Sequence, residues 1–218
     1  MRSLRYLKPS ESLTEVFAGL IMVLTFTLGA SVLSGGGADG ARAALVGAIG
    51  CNIAWGIIDG VLYMMARRFD RTRHLRVRRA IASSKNEAAA LAAIRAELDP
   101  SLASVTQVED REQLYRSIRN ALAQRRLPPH TGLFRHDIMG AIEIFCLVFA
   151  TALPAVLPLL VIDQPWLALR LSHLLVIGLL FIVGYHWAKY VDANPWLAGL
   201  GLLSLGLAMV AVAIPLGG

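Results

Sequence analysis

The sequence predicts an all-α polytopic membrane protein: five transmembrane helices, with a helical cytoplasmic insert between spans two and three. Three observations predict it. Of the 218 residues 56% are hydrophobic, and the mean hydropathy is +0.58, far above that of a soluble domain. The apolar residues fall in runs long enough to cross a bilayer, which takes about 20 residues. Charge is segregated: positions 67–135 hold fifteen Lys/Arg and seven Asp/Glu, while the flanks are long apolar runs. The chain therefore divides into 1–66 (leader and spans one and two), 67–135 (basic insert) and 136–218 (spans three to five).

Taken in order, residues 1–11 are a basic leader, too long in its polar part for a cleaved signal peptide. Span one is expected over Leu13–Leu33, capped by Ser12 or Thr14, with Glu15 in its first turn, where an acid suits the helix dipole. SGGGADG at 34–40 reads as a turn. Span two is expected over Ala43–Ala66, with Arg67 and Arg68 as its cytoplasmic stop. In the insert, Asn86–Leu98 reads as a helix ended by Pro100. Val108–Gln124 reads as another, with Leu114, Ile118 and Leu122 as its buried stripe. Arg125–Thr131 is a breaker. Span three is expected over Ile138–Ile162, kinked at Pro154 and Pro158. Span four is expected over Leu167–Trp187 and span five over Trp196–Ile214, with turns at 163–166 and 192–195.

The Lys/Arg excess of the insert places it, and the N-terminus, in the cytoplasm; five spans then put the C-terminus outside. The outer turns carry only Asp39, Arg42, Asp163 and Arg170 for charge. The net charge of +6 is thus a topology signal, and no nucleic-acid partner follows from it. Cys51 and Cys146 lie in apolar runs and give no disulfide framework. There is no Walker lysine loop, GxSxG or HExxH, so the chain does not read as an enzyme.

The most informative stretch is Gly47–Arg68. It is apolar enough to span, yet carries Asn52 and Asp59. An acid at a helix centre costs about 2.5 to 3.5 kcal/mol to insert, so it needs a reason. Asn52 and Asp59 lie two turns apart on one face, roughly 10 Å along the axis, joined there by Trp55, Gly56 and Tyr63. Gly56 and Gly60 form a GxxxG step that admits a neighbouring helix.

This architecture resembles the vacuolar iron transporter family. ALPAVLPLL at 152–160 is similar to that family's proline-rich third span. FIVGYHWAKY at 181–190 is similar to its Gly-Tyr followed by a basic residue, and GLIMVLTFTLGA at 19–30 to its first span. Met22 and Val23 stand where the family has Asp-Gly. With Tyr63 aligned on the family's second-span Tyr, the family's Glu falls near Gly50–Asn52 and its Met at Ile58 or Asp59. The acid and the thioether would then have exchanged helices. The family's insert is Glu-rich and binds metal; this one is basic. The resemblance also implies a homodimer, for which Gly19, Gly29, Gly56 and Gly60 would allow close approach through spans one and two.

Asp59 is the leading candidate for a cation or proton site, because a buried carboxylate can exchange a proton for a cation; the alternative is a structural hydrogen bond. Asn52 is either its partner or interhelical glue. Glu15, Met22 and Gly29 recur every seven residues, with Gly19 and Thr25 beside them, as a second wall of a path. A thioether suits Fe(II) or Cu(I) better than Ca or Mg, although Met22 could equally be core filler. His136, Met139, Glu143 and Cys146 share one side of the third span as a loading site for metal, or as an amphipathic start to the helix. Glu87, Glu97, Asp99, Glu109, Asp110 and Glu112 in the insert read as solvated helix acids or a hard-cation cluster. His173 is an exit group or a packing histidine.

The expected function is a secondary transporter moving a divalent metal cation, Fe(II) or Mn(II) by resemblance, out of the cytoplasm by proton antiport. No tightly bound cofactor is expected. The partners are the metal substrate, the lipid bilayer and a second copy of the chain. The alternative is a non-transporting scaffold or regulator that binds lipid or a partner through its basic insert.

Overall fold

The computed structural model describes residues 6–34, 37–84, 86–104, 106–124 and 132–213. Among these there are seven helices and no strand: α1 (Pro9–Ser34), α2 (Ala38–Ser83), α3 (Glu87–Leu102), α4 (Val108–Ala123), α5 (Arg135–Val161), α6 (Pro165–Ala188) and α7 (Pro195–Ala213). Five of them, α1, α2, α5, α6 and α7, are long and apolar enough to cross a membrane. The breaker expected at Arg125–Thr131 and part of the glycine turn at 35–36 lie outside the described residues.

The chain forms two compact units, one from Met1–Met64 with Arg135–Gly218, the other from Met65–Phe134. The first is built on α1, α5 and α6. Leu20, Val23 and Leu24 of α1, Ala152, Ala155 and Val156 of α5, and Val176, Ile177 and Leu180 of α6 make its core. In lipid such packing rests on van der Waals fit and close backbone approach rather than on water exclusion. Gly56 and Gly60 supply that approach for α2. A Cβ on Gly56 would stand 3.0 Å from the Phe145 ring, and one on Gly60 3.1 Å from the Ala141 carbonyl. Both glycines thus serve α5 of the same chain. The contact between copies expected from them loses that basis.

The spans begin and end within a few residues of expectation, except α2. It runs 46 residues, about 69 Å at 1.5 Å per residue, and does not stop at Arg67. Arginine is a good helix former, and no Gly or Pro occurs between Gly60 and Pro100, so leaving the apolar segment does not end the helix. α1 begins at Pro9, so Glu11 is its first-turn acid and Glu15 lies one turn deeper. Ser12 and Thr14 are inside the helix, donating to the Lys8 and Ser10 carbonyls. α5 continues through Pro154 and Pro158. The turn into α7 is closed by Asp192 at φ 53° and by the Asn194 side chain, which accepts from the Trp196 and Leu197 amides.

In the second unit, Ile81 of α2, Ala90, Leu91 and Ile94 of α3, and Tyr115 of α4 form the core. Asn86 caps α3, accepting from the Ala88 and Ala89 amides. Pro100 does not end α3: the helix runs to Leu102, and the Ala103 amide still reaches the Asp99 carbonyl. The buried face of α4 is rotated from the expected stripe. Tyr115 is 1% exposed, Ile118 and Leu122 flank it, and Leu114 is 41% exposed. Tyr115 wins the core position because its hydroxyl has a partner there, donating to Asp99 Oδ1 at 2.6 Å.

Candidate transport site

A polar seam runs where α1, α2 and α5 meet. Its most buried member is Asn52, 0% exposed. The Asn52 amide donates through Nδ2 to the Val148 carbonyl at 2.7 Å and to Thr151 Oγ1 at 2.9 Å. Thr151 in turn donates to the Val148 carbonyl at 2.6 Å. Both donors of Asn52 are used on α5, which fixes the amide so that Oδ1 is buried without a partner among the described residues. A buried amide oxygen left in that state costs about 1–3 kcal/mol. Gly19 of α1 is packed against the Thr151 side chain, where a Cβ has no room. Thr151 is thus the point where Asn52 of α2 and Gly19 of α1 both meet α5.

On the same side of α2, Asp59 is half-buried, as is Glu15 of α1. The two carboxylates are close enough for their charges to act on one another, and Glu11 adds to the negative field on Glu15. Met22 packs with Tyr63 and Leu147 against Leu7, Ile144 and Val148, beside the seam. Tyr63 donates to the Tyr6 carbonyl at 3.3 Å, and Glu143 accepts from the Tyr6 amide at 3.0 Å. The seam thus has an amide layer at Asn52 and Thr151, a carboxylate layer at Glu15 and Asp59, and an outer tier of Tyr6, Tyr63 and Glu143.

The other candidates are placed differently. Thr25 is exposed and its hydroxyl turns back to the Ile21 carbonyl. Of the third-span set, Glu143 and Met139 are half-buried, while His136 and Cys146 are exposed. The His136 ring meets Tyr6 edge-on at 4.8 Å between centroids. Among the described residues no three His, Cys, Asp or Glu side chains converge to hold a metal ion. Three of the six insert acids are engaged by bases: Glu97 by Arg73 and His74, Asp99 by Arg111, and Glu112 by Arg95. Trp55 is on the exposed side of α2.

Two positions carry more than the sequence suggested. Asp137 is 2% exposed in the first turn of α5; its signal was its place in the row Asp137, Gly140, Ala141, Ile144, which are all buried. His173 is 9% exposed and lies beside the Thr27 backbone of α1. Its Nε2 and the neighbouring Ser172 hydroxyl are buried without partners among the described residues. They belong to α6 and stand apart from the seam.

A family model described as the VIT family matches residues 61–218. The stretches at 152–160 and 181–190 that suggested this family lie inside the match, and the one at 19–30 lies outside it. No curated protein matches the chain. The match covers well over half of the sequence, and the chain therefore belongs to the VIT family, the vacuolar iron transporter family, whose members are membrane transporters and not enzymes.

Proposed function

We propose that the chain carries a divalent metal cation, Fe(II) or Mn(II), out of the cytoplasm in exchange for protons, along the seam between α1, α2 and α5. What supports this reading is that Glu15 of α1 and Asp59 of α2, both half-buried, lie near enough for their charges to act on one another, on the seam that also holds the buried Asn52 Oδ1, without a partner among the described residues. Two neighbouring carboxylates in an apolar span need compensating charge, which a divalent cation or protons can supply in turn. Asn52 Oδ1 adds a neutral oxygen and Met22 a thioether suited to a borderline metal. Glu143, beside Tyr6 at the N-terminal and hence cytoplasmic mouth of the seam, serves as the loading group. The N-terminus and the insert are on the cytoplasmic side, as the Lys/Arg excess argues, and two copies assemble as the family likeness implies. The test is uptake of Fe(II) or Mn(II) by vesicles holding the purified protein under an imposed pH gradient, against empty vesicles.

One observation favours a second reading. The family match begins at residue 61, so Glu15, Met22, Asn52 and Asp59 all precede it. A scaffold that kept the family's later spans and bound lipid or a partner through its basic insert would show no metal flux in the same vesicles.

A further inference from the structure

Past its apolar segment α2 continues without a break to Ser83, and this stretch is strongly basic. From Met65 to Ser83 it holds seven arginines and a single acid, Asp70. Some of the arginines are engaged. Arg71 donates to the Gly132 carbonyl at 3.3 Å and lies over the Phe134 ring, and Arg73 pairs with Glu97. Arg68 and Arg76 are exposed, and among the described residues neither has a carboxylate partner. At about 100° per residue, Met65, Arg68, Phe69 and Arg76 share one face of α2, and Asp70 points to the other side. On that face Met65 is 62% exposed and Phe69 70%.

Exposed apolar side chains beside bases, where an apolar helix turns basic, suit a bilayer surface. The apolar groups enter the hydrocarbon boundary and the guanidinium groups stay with the phosphates. The direction of α2 favours this. Cα–Cβ bonds tilt towards the N-terminus of a helix, and in α2 the apolar segment is on that side, so Arg68 and Arg76 lean back towards the membrane. Arg76 starts about 12 Å beyond Arg68 along the axis. Its side chain returns the charge to within a Debye length of the phosphates, about 8 Å. A second copy packed on this face through the same residues would set arginine against arginine, whereas an anionic leaflet brings the opposite charge. We infer that this face of α2 is a site for anionic phospholipid headgroups, with a phosphate at Arg68, Arg76 in the field of the leaflet and Phe69 at the hydrocarbon boundary. A transporter and a scaffold would both carry it, so the site does not depend on metal flux.

Phe69→Trp places a reporter on this face. The full-length protein carrying it is put in vesicles of phosphatidylglycerol and phosphatidylcholine, one or the other brominated to quench indole fluorescence. The signal of the protein with Phe69 is subtracted to remove the four native tryptophans. Phosphatidylglycerol should quench the reporter in preference, by more than about fivefold in relative affinity. Arg68→Gln and Arg76→Gln should each lower that preference by about fivefold. Arg78→Gln removes the same charge from the opposite side of α2, where Arg78 lines a groove of the insert with Ile81, and should leave the preference unchanged. All three arginines are exposed, and unchanged unfolding midpoints confirm folding. Equal quenching by the two lipids overturns the site, as does a loss in Arg78→Gln as large as that in Arg76→Gln. Quenching by neither lipid also overturns it, and would give the face to protein.

Discussion

Asn52→Leu separates a seam that passes cargo from one that only ties helices together. Leucine has the same branching as asparagine and replaces a fully buried side chain. The variant loses two donors to α5, at 2.7 and 2.9 Å. Interhelical hydrogen bonds in membranes average about 0.6 kcal/mol each, so the loss is about 1.2 kcal/mol. The Val148 carbonyl is not orphaned, because Thr151 still donates to it at 2.6 Å. Against this, the partnerless Oδ1 disappears, which recovers about 1–3 kcal/mol. The variant should therefore range from neutral to about 2 kcal/mol more stable. Thermal unfolding of the detergent-purified protein should show an equal or higher midpoint, while metal uptake by vesicles falls at least tenfold. A native protein keeps a polar atom at that cost only where it is used. A variant with a clearly lower midpoint would show that Oδ1 is satisfied in the protein. One with full uptake would remove Asn52 from the path.

The remaining predictions test packing and charge. Gly56→Ala should cost about 1–3 kcal/mol, because the Phe145 ring and backbone must give way. Gly29→Ala, with nothing within 4 Å, should gain up to about 1 kcal/mol from helix propensity; unfolding midpoints of the two variants check this. Ile94→Ala should cost about 2–5 kcal/mol by opening the core it shares with Ile81 and Tyr115, read as faster hydrogen exchange in α3 and α4. Arg95 donates to Glu112 at 2.8 Å and holds that carboxyl below the ordinary glutamate range. Its contribution is therefore full above that range and is lost as pH falls through the lowered folded value. Acid should loosen α3 from α4, and Arg95→Leu should abolish that pH dependence of exchange.

Most of the fold was legible because a bilayer imposes length and hydropathy on every span, and all five were found from those alone. What escaped was decided by local competition. Arg67 and Arg68 mark where apolar character stops, but a run of helix formers without Gly or Pro carries α2 on to Ser83. Pro100 failed as a terminator. Leu114 lost the α4 core position to Tyr115, since spacing cannot say which of two adjacent apolar side chains finds a partner such as Asp99. Asn52, Asp59, Glu15 and Met22 stood out in the sequence by intramembrane polarity and helical spacing, and Asn52 is fully buried; their part in transport is a proposal. Their third wall did not stand out. Thr151 looks like an ordinary span residue until Asn52 reaches across 99 positions to it, and Asp137 gave only a helical row. Gly56 and Gly60 signalled a close approach correctly, but the sequence could not say whether the neighbour was α5 or another copy.

The central claim, that the Glu15–Asp59 pair exchanges protons for metal, is tested most directly by Asp59→Asn in vesicles, with Fe(II) or Mn(II) uptake and lumenal pH followed together. Asparagine keeps the shape of the side chain and removes its charge and its proton. Wild type should couple metal uptake to opposite proton movement, and Asp59→Asn should insert and fold normally yet lose both signals together. Equal, pH-dependent metal uptake by wild type and Asp59→Asn would contradict the mechanism, and the absence of any metal uptake by wild type would contradict transport itself.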